Sequence, residues 1–417
     1  MNIVKYLYLP SIRRKKAPTS LDNKVFNIIL AKGQSLASID AKRFFTDSVM
    51  GLKRGFKFDP AKSQLVFNSI SGASALFWWT GFSFTISKRI LDYAKKSLPA
   101  ADDKISPYFY KMCETIHNFL TGNWHEEFGE NLIDYDIKIG EITCVSLHLI
   151  FLGFIYMELG DFDHTKNIIK KLKRIDNEFS DDGAKVIFYH SNGLLLKKQR
   201  KLEDALKTIN ECIILSENIG HRDRTISLLG TKSQIQVMQD DLGRAEKSLD
   251  RAETLISNEG FVSPYYYSSY LMGVLLYNLA CLEKSLISKN NKSIKKYKNK
   301  SLKSGIKVIR NSKKVVSEKT KAYRQRGKYY WLIGKQGKAL KWWDKSIKEG
   351  ERLGACPDLS RTYFEVGKRL LEPQSKTKEL NGIDAKGYLE KAGILFEEMG
   401  LERDLDELDR LKADCGL

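Results

Sequence analysis

Small residues recur in one local setting at a nearly fixed distance along this chain. Gly153, Gly193, Ser233, Gly273, Gly327 and Gly367 follow one another at steps of 40, 40, 40, 54 and 40 residues. Ser74 and Gly33 extend the series backward at about the same step, with a weaker copy near Glu114. A shared period of this kind constrains the fold more than composition does. Each copy is one supersecondary unit that buries its apolar face only by stacking on its neighbours.

Within a copy, the small residue lies in one helical stretch and a second stretch follows with a small residue of its own. The copies run Gly153, Tyr156, Gly160, Phe162, Thr165, Ile169; then Gly193, Leu196, Leu202, Ala205, Ile209; then Ser233, Gln236, Leu242, Ala245, Leu249; and Gly327, Tyr330, Gly334, Ala339, Trp343. Antiparallel helices come close only where a small side chain faces a large one, so Gly153 or Ala205 is expected as the hole and Tyr156 or Ile209 as the knob. Turn residues such as Gly160 and Asp161 end one helix and begin the next. Eight prolines in 417 residues leave long helices uninterrupted. The expected fold is all-α, an α-solenoid of tandem antiparallel helix pairs.

This pattern resembles the tetratricopeptide repeat over roughly residues 25–400, most closely in GKYYWLIGKQGKALKWWDKS at 327–346. The period of about 40 departs from the usual 34 of that family and implies longer helices or loops. A helical-hairpin array outside the family is the other reading of the same residues. Several stretches, among them YLPSIRRKKAPTSLDNKVFNIILAKGQSL and KALKWWDKSIKEGERLGACPDLSRTYFEVGKRLL, also resemble the helical C-terminal region of large bacterial signalling proteins. Those proteins carry a nucleotide cyclase or protein kinase domain followed by an AAA-type ATPase domain. The resemblance implies a regulatory or scaffolding module, either a separately encoded fragment or a stand-alone relative, with an upstream ATPase, cyclase or kinase module among its candidate partners.

The chemistry of those enzymes does not carry over. No G-x-x-x-x-G-K-[ST] occurs, and Gly334-Lys335-Gln336-Gly337-Lys338 has the wrong spacing and sits in a helical turn. Cys113 and His117, like Cys144 and His148, stand four apart and have the residue types of a zinc site. The repeat register puts His117 at a core position and His148 near a helix start, so core or surface roles are expected instead. His125-Glu126-Glu127 and Asp134-Tyr135-Asp136 are expected in a solvated loop. No catalytic residue, cofactor site or metal site is expected, and the chain is not expected to be an enzyme.

Residues 1–20 are expected as a linker or N-terminal extension, 21–286 as helical repeats, 287–328 as a basic insertion with an amphipathic helix, 329–400 as further repeats and 401–417 as a capping helix. That last helix places Leu401, Leu405, Leu408 and Leu411 on one face. A long loop is expected at Glu372–Gly382. Six scattered cysteines without a CxxC pair suit a reducing cytoplasmic setting, and no signal peptide is visible. The uncharged stretch Phe261–Leu282 is long enough to span a bilayer. It holds Pro264, five tyrosines and Asn278 and falls in the repeat register, so a buried solenoid helix is expected and no transmembrane segment.

Residues 287–328 hold 16 Lys or Arg against one acid, Glu318, which is +15 of the total +19. Lys303, Lys307, Arg310 and Lys314 fall on one face of a helix, with Leu302, Ile306, Ile309 and Val316 on the other. A loop at Lys289–Ser301, with Lys295, Lys296, Lys298 and Lys300, is expected before it. This stripe is a candidate site for an acidic protein segment or an anionic surface. Nucleic acid is a weaker fit, because Tyr297 is the sole aromatic in that loop. The main functional expectation is a non-catalytic protein–protein interaction module in bacterial signal transduction. A protein or peptide partner would lie in the concave groove, with Lys197, Gln234, Tyr266 and Tyr329 as candidate exposed contacts.

Overall fold

The computed structural model describes Leu7 and residues 15–36, 41–98, 105–125 and 142–416. Those residues are helical apart from turns, a few short 3-10 and bridging elements, and one two-stranded ribbon, Glu379–Leu380 against Ile383–Asp384, which occupies the expected long loop. The N-terminal helices are α1 (Ser20–Leu36), α2 (Ala41–Gly55), α3 (Gln64–Gly72), α4 (Ser74–Trp79), α5 (Phe84–Lys95) and α6 (Ile105–Thr121). Paired helices follow. They are α7 (Ile142–Leu159) with α8 (Phe162–Phe179), α9 (Asp182–Lys198) with α10 (Leu202–Asn218), and α11 (Arg222–Met238) with α12 (Leu242–Asn258). Next come α13 (Pro264–Ile287) with α14 (Asn291–Ser312), α15 (Lys319–Leu332) with α16 (Gln336–Leu353), and α17 (Cys356–Leu371) with α18 (Ala385–Glu398). Helix α19 (Glu402–Cys415) ends the array, with Leu401 and Leu408 buried and Leu405 and Leu411 packed at the edge of the same core.

The turn inside each of the first five pairs uses one left-handed residue, at Gly160, Arg200, Asp240, Lys289 and Gly334. Glycine takes that conformation freely, whereas Arg200, Asp240 and Lys289 take it at a backbone cost offset by the packed pair. Asp161 and Asp241 then cap the second helix, accepting from the His164 and Arg244 N–H groups at 3.1 and 2.9 Å.

Close approach follows the small residues. A methyl group added at Gly193 would lie 2.6 Å from Ile209 Cδ1, at Gly367 2.8 Å from Leu389, and at Gly153 3.1 Å from Ile168. Gly327 faces the Trp343 indole, and Gly273 faces the Ser233 hydroxyl and Gly230 carbonyl. Ala205, Ala245 and Ala339 are fully buried. Some contacts differ from expectation. The knob against Gly153 is Ile168, while Tyr156 stacks on His164 with ring centroids 5.0 Å apart. Tyr330 is partly buried beside the Arg326 guanidinium. In α11 the tightest approach is at Gly230, where a methyl would strike the backbone of Ser269 and Tyr270. Gly33 faces open space and Ser74 opens a helix of 6 residues, so the 40-residue packing rule does not reach them.

The 54-residue step has a simple origin. Helices α13 and α14 contain 24 and 22 residues, against 17 in each of α9 to α12. Residues expected as a loop up to Ser301 are therefore helical from Asn291, with Asn290 capping the Ser293 N–H at 3.0 Å. The face of α14 turned to the core carries Ser301, Ser304, Gly305, Val308 and Ser312. Small side chains bring α14 close to α13, and Ile306, expected inward, is 54% exposed. Helices α7 and α13 are long and apolar enough to cross a membrane, yet 67% and 61% of their most apolar windows are buried within the fold.

The solenoid curls until its ends meet. Gly122 after α6 abuts Leu353 and Val316, Gly160 abuts Met399, and Gly354 abuts Leu159 and His125. Helix α17 packs on α7. One continuous core therefore runs from Phe67 through the first pairs to Leu408 in the last helix.

Candidate ligand site inside the superhelix

Closure turns the first helices of several pairs toward one another. Their inner faces hold two adjoining regions, one charged and one apolar.

The charged region spans the seam. Lys198 on α9 lies 2.7 Å from Glu158 on α7 and 3.5 Å from Asp358 on α17. Arg324 on α15 pairs with Asp358 at 2.9 Å. Burial works against the Asp358 carboxylate, but Lys198 and Arg324 together hold it far below the usual carboxylate range. Burial pushes the Glu158 carboxyl up, against the pull of Lys198. Arg361 closes the group, donating to the Lys198 carbonyl and to Asp404.

Beside these satisfied pairs, two cations share a neutral acceptor. Lys197 and Lys321 both donate to Oε1 of Gln234, at 3.3 and 2.9 Å. Gln234 Nε2 donates to the Ser269 carbonyl at 2.8 Å, which fixes the amide with its oxygen toward the lysines. Neither lysine makes an ion pair among the described residues. Burial, reinforced by Lys321, pushes the Lys197 ammonium down to about 7. When Lys197 is protonated, two ammonium groups share one amide oxygen, an arrangement that an incoming carboxylate would relieve.

The apolar region is a cavity of about 390 Å³ between the N-terminal helices and the first pairs. Trp79, Phe151, Phe154, Tyr265 and Tyr266 lie on its wall. Tyr265 is the hub, with ring centroids 5.5 Å from Phe151 and 6.2 Å from Phe154. Arg224 and His190 reach the same wall, 8% and 2% exposed. Burial, then Arg224, then Lys197, push the His190 imidazole well below its ordinary value, so it is neutral.

The expected groove contacts are thus partly misplaced. Lys197 and Gln234 do meet on the inner face, but Gln234, Tyr266 and Tyr329 are buried rather than exposed. Sequence reasoning missed Arg224, which stands at the first turn of α11 like any helix-end charge. Its only cue was the uncharged run Thr225–Thr231 directly after it.

The expected anion-binding residues stay together. Lys295, Lys296, Lys298, Lys300, Lys303, Lys307, Arg310 and Lys314 are all exposed on α14 and the turn after it, and none makes an ion pair among the described residues. The cysteine–histidine pairs are engaged in other ways. His117 Nδ1 lies 3.0 Å from the Ser87 hydroxyl, and His148 Nε2 3.1 Å from that of Thr115. Burial raises the Cys113 thiol well above its ordinary value. Among the described residues no three His, Cys, Asp or Glu side chains gather as a metal site would require. Glu126, Glu127, Asp134 and Asp136 lie outside the described residues.

No protein-family model matches the chain, and no curated protein matches it in sequence. Solved structures do. A Rap protein complexed with competence and sporulation factor superposes with a TM-score of 0.60 at 10% identity, over 93% of this chain and 99% of that one. A signal transduction ATPase with numerous domains and a tetratricopeptide repeat sensor, from Pyrococcus horikoshii, gives a TM-score of 0.42 at 15% identity. That match covers 89% of this chain and 55% of the other, and the score is too low to support a structural argument. The likeness to the Rap protein is one of fold, and the fold of this chain is a tetratricopeptide-like solenoid of antiparallel helix pairs.

Proposed function

We propose that this chain is a non-catalytic regulatory module that binds a peptide or protein segment on the inner face of its superhelix, within bacterial cytoplasmic signal transduction. The observation that carries the reading is the shared acceptor at Gln234. A ligand carboxylate placed there gains two charge-assisted hydrogen bonds and removes the repulsion between Lys197 and Lys321. The Rap protein of the same fold was crystallised with competence and sporulation factor, which supports a peptide as the occupant. The sequence resemblance to multidomain signalling enzymes supports an ATPase, cyclase or kinase module as the responding partner.

Display of a random peptide library against the full chain tests this reading. Selected peptides should be rich in Asp or Glu and should lose binding to Gln234→Glu, which supplies the carboxylate internally. A library that yields no binder for the folded wild-type chain, or binders indifferent to Gln234→Glu, defeats the reading.

One further observation favours a second reading, a binder of anionic surfaces or nucleic acid through α14. Its eight exposed cations lack ion pairs among the described residues, and Ile306 stands exposed among them. Binding to anionic vesicles or to nucleic acid that falls steeply with salt would support it.

A further inference from the structure

The cavity behind the inner face has a polar feature that the peptide reading does not use. Arg224 is 8% exposed, and its Nε and Nη1 have no hydrogen-bond partner in the protein. Only Nη2 is engaged, donating to the Tyr266 hydroxyl at 3.3 Å, with the guanidinium 5.8 Å from that ring's centroid. No carboxylate pairs with Arg224 among the described residues. A buried cation is normally paired, because desolvating an unpaired charge is strongly unfavourable. Other buried groups in the lining are unpartnered within the protein, namely His190 Nδ1, Ser146 Oγ and the indole nitrogens of Trp78 and Trp79. Most of the remaining lining is aromatic or aliphatic, led by Phe151, Phe154 and Tyr265, with Ser69, Thr143, Asp181 and His221 among its polar members.

We infer that this cavity is a binding site for a small amphiphile, an aliphatic chain ending in one carboxylate, with the carboxylate on Arg224. The carboxylate accepts from Nε and Nη1, the fork geometry that guanidinium offers to planar anions. The chain fills the aromatic part, and the volume of about 390 Å³ lies within the range of small-molecule sites. An extended peptide fits this chamber less well. Each of its residues brings an N–H and a C=O, and the apolar wall offers too few partners for them. The inference is independent of the peptide site at Gln234, and either can fail without the other.

Calorimetric titration of the full chain with decanoate below its micellar concentration tests the assignment, with decanol as the uncharged comparison. Decanoate should bind, raise the melting temperature and bind more tightly than decanol. In Arg224→Met, decanoate should bind about tenfold more weakly or worse, while decanol is little changed. Ser146→Leu, which narrows the cavity without touching the guanidinium charge, should weaken both ligands and serves if Arg224→Met does not fold. Failure of the wild-type chain to bind decanoate overturns the assignment. Equal decanoate binding by folded Arg224→Met, or undiminished binding by Ser146→Leu, does so too. An acetylated dileucine with a free carboxylate that binds more tightly than decanoate and competes with it would also overturn it, giving the cavity to a peptide end.

Discussion

Arg361 donates from Nη2 to the main-chain carbonyl of Lys198 at 2.6 Å, joining helices α17 and α9 across 163 positions of sequence. The same guanidinium holds Asp404 through Nε at 3.0 Å and Nη2 at 2.7 Å. Arg361 is thus a clasp on the closed superhelix. Arg361→Ala should destabilise the chain by about 2–4 kcal/mol in urea unfolding, because Asp404 is buried and among the described residues keeps only Arg200 as an ion-pair partner. Small-angle scattering should show a larger radius of gyration for the variant. Loss of stability with unchanged dimensions would mean that apolar contacts alone keep the seam shut.

Gly230 and Ser233 lie three residues apart on α11 and should respond very differently to alanine. Gly230→Ala drives a methyl into the backbone of α13, which cannot yield locally, and should cost about 3 kcal/mol or more. Ser233→Ala loses the hydrogen bond to the Gly230 carbonyl and should cost about 1 kcal/mol. Gly337→Ala, whose methyl meets open space in α16, should be neutral or gain up to about 1 kcal/mol. Thermal melts of the three variants check the order.

Acid should unfold the chain from mildly acidic pH onward. Burial lowers His117 and His221 to about 4, and lowers His190 well below its ordinary value. Each has a folded value below its unfolded value near 6.5, so the unfolded chain binds more protons as pH falls through that interval. The histidine contribution to stability is therefore intact above about 6.5 and is lost as pH drops toward 4. Urea midpoints measured across that window should fall, and should fall less steeply in His117→Gln, which keeps a partner for Ser87.

The outer face of α14 should be expendable for folding. Replacing Lys295, Lys296, Lys298 and Lys300 together by Gln should shift the melting temperature little, since none makes an ion pair among the described residues. Binding to anionic vesicles, if α14 mediates it, should drop and lose about four charges' worth of salt slope. A variant that binds as well as wild type would exclude this face.

The repeat was legible because packing of neighbouring helices is local. Gly193 against Ile209 and Gly327 against Trp343 are contacts within one pair, and each leaves its mark at a fixed offset in sequence. The basic block was legible as charge, but its helicity was not, because α14 packs through Ser301, Ser304, Gly305 and Ser312 rather than through large apolar residues. Gly230 escaped notice for a related reason. Its partner is backbone on the next pair, and backbone carries no residue type to match.

By itself, then, the sequence determined the helix pairs, their stride and the small-to-large contacts inside them, since these depend on residues close together in the chain. Only the tertiary structure decided that the superhelix curls far enough for Arg361 to meet Lys198. It alone set Lys197 and Lys321 on one amide oxygen and left Arg224 unpaired on a cavity wall. The physical reason is accumulation. A small rotation at each interface between pairs, set by side-chain volumes too similar to distinguish in one sequence, adds up along the solenoid and fixes which distant charges meet.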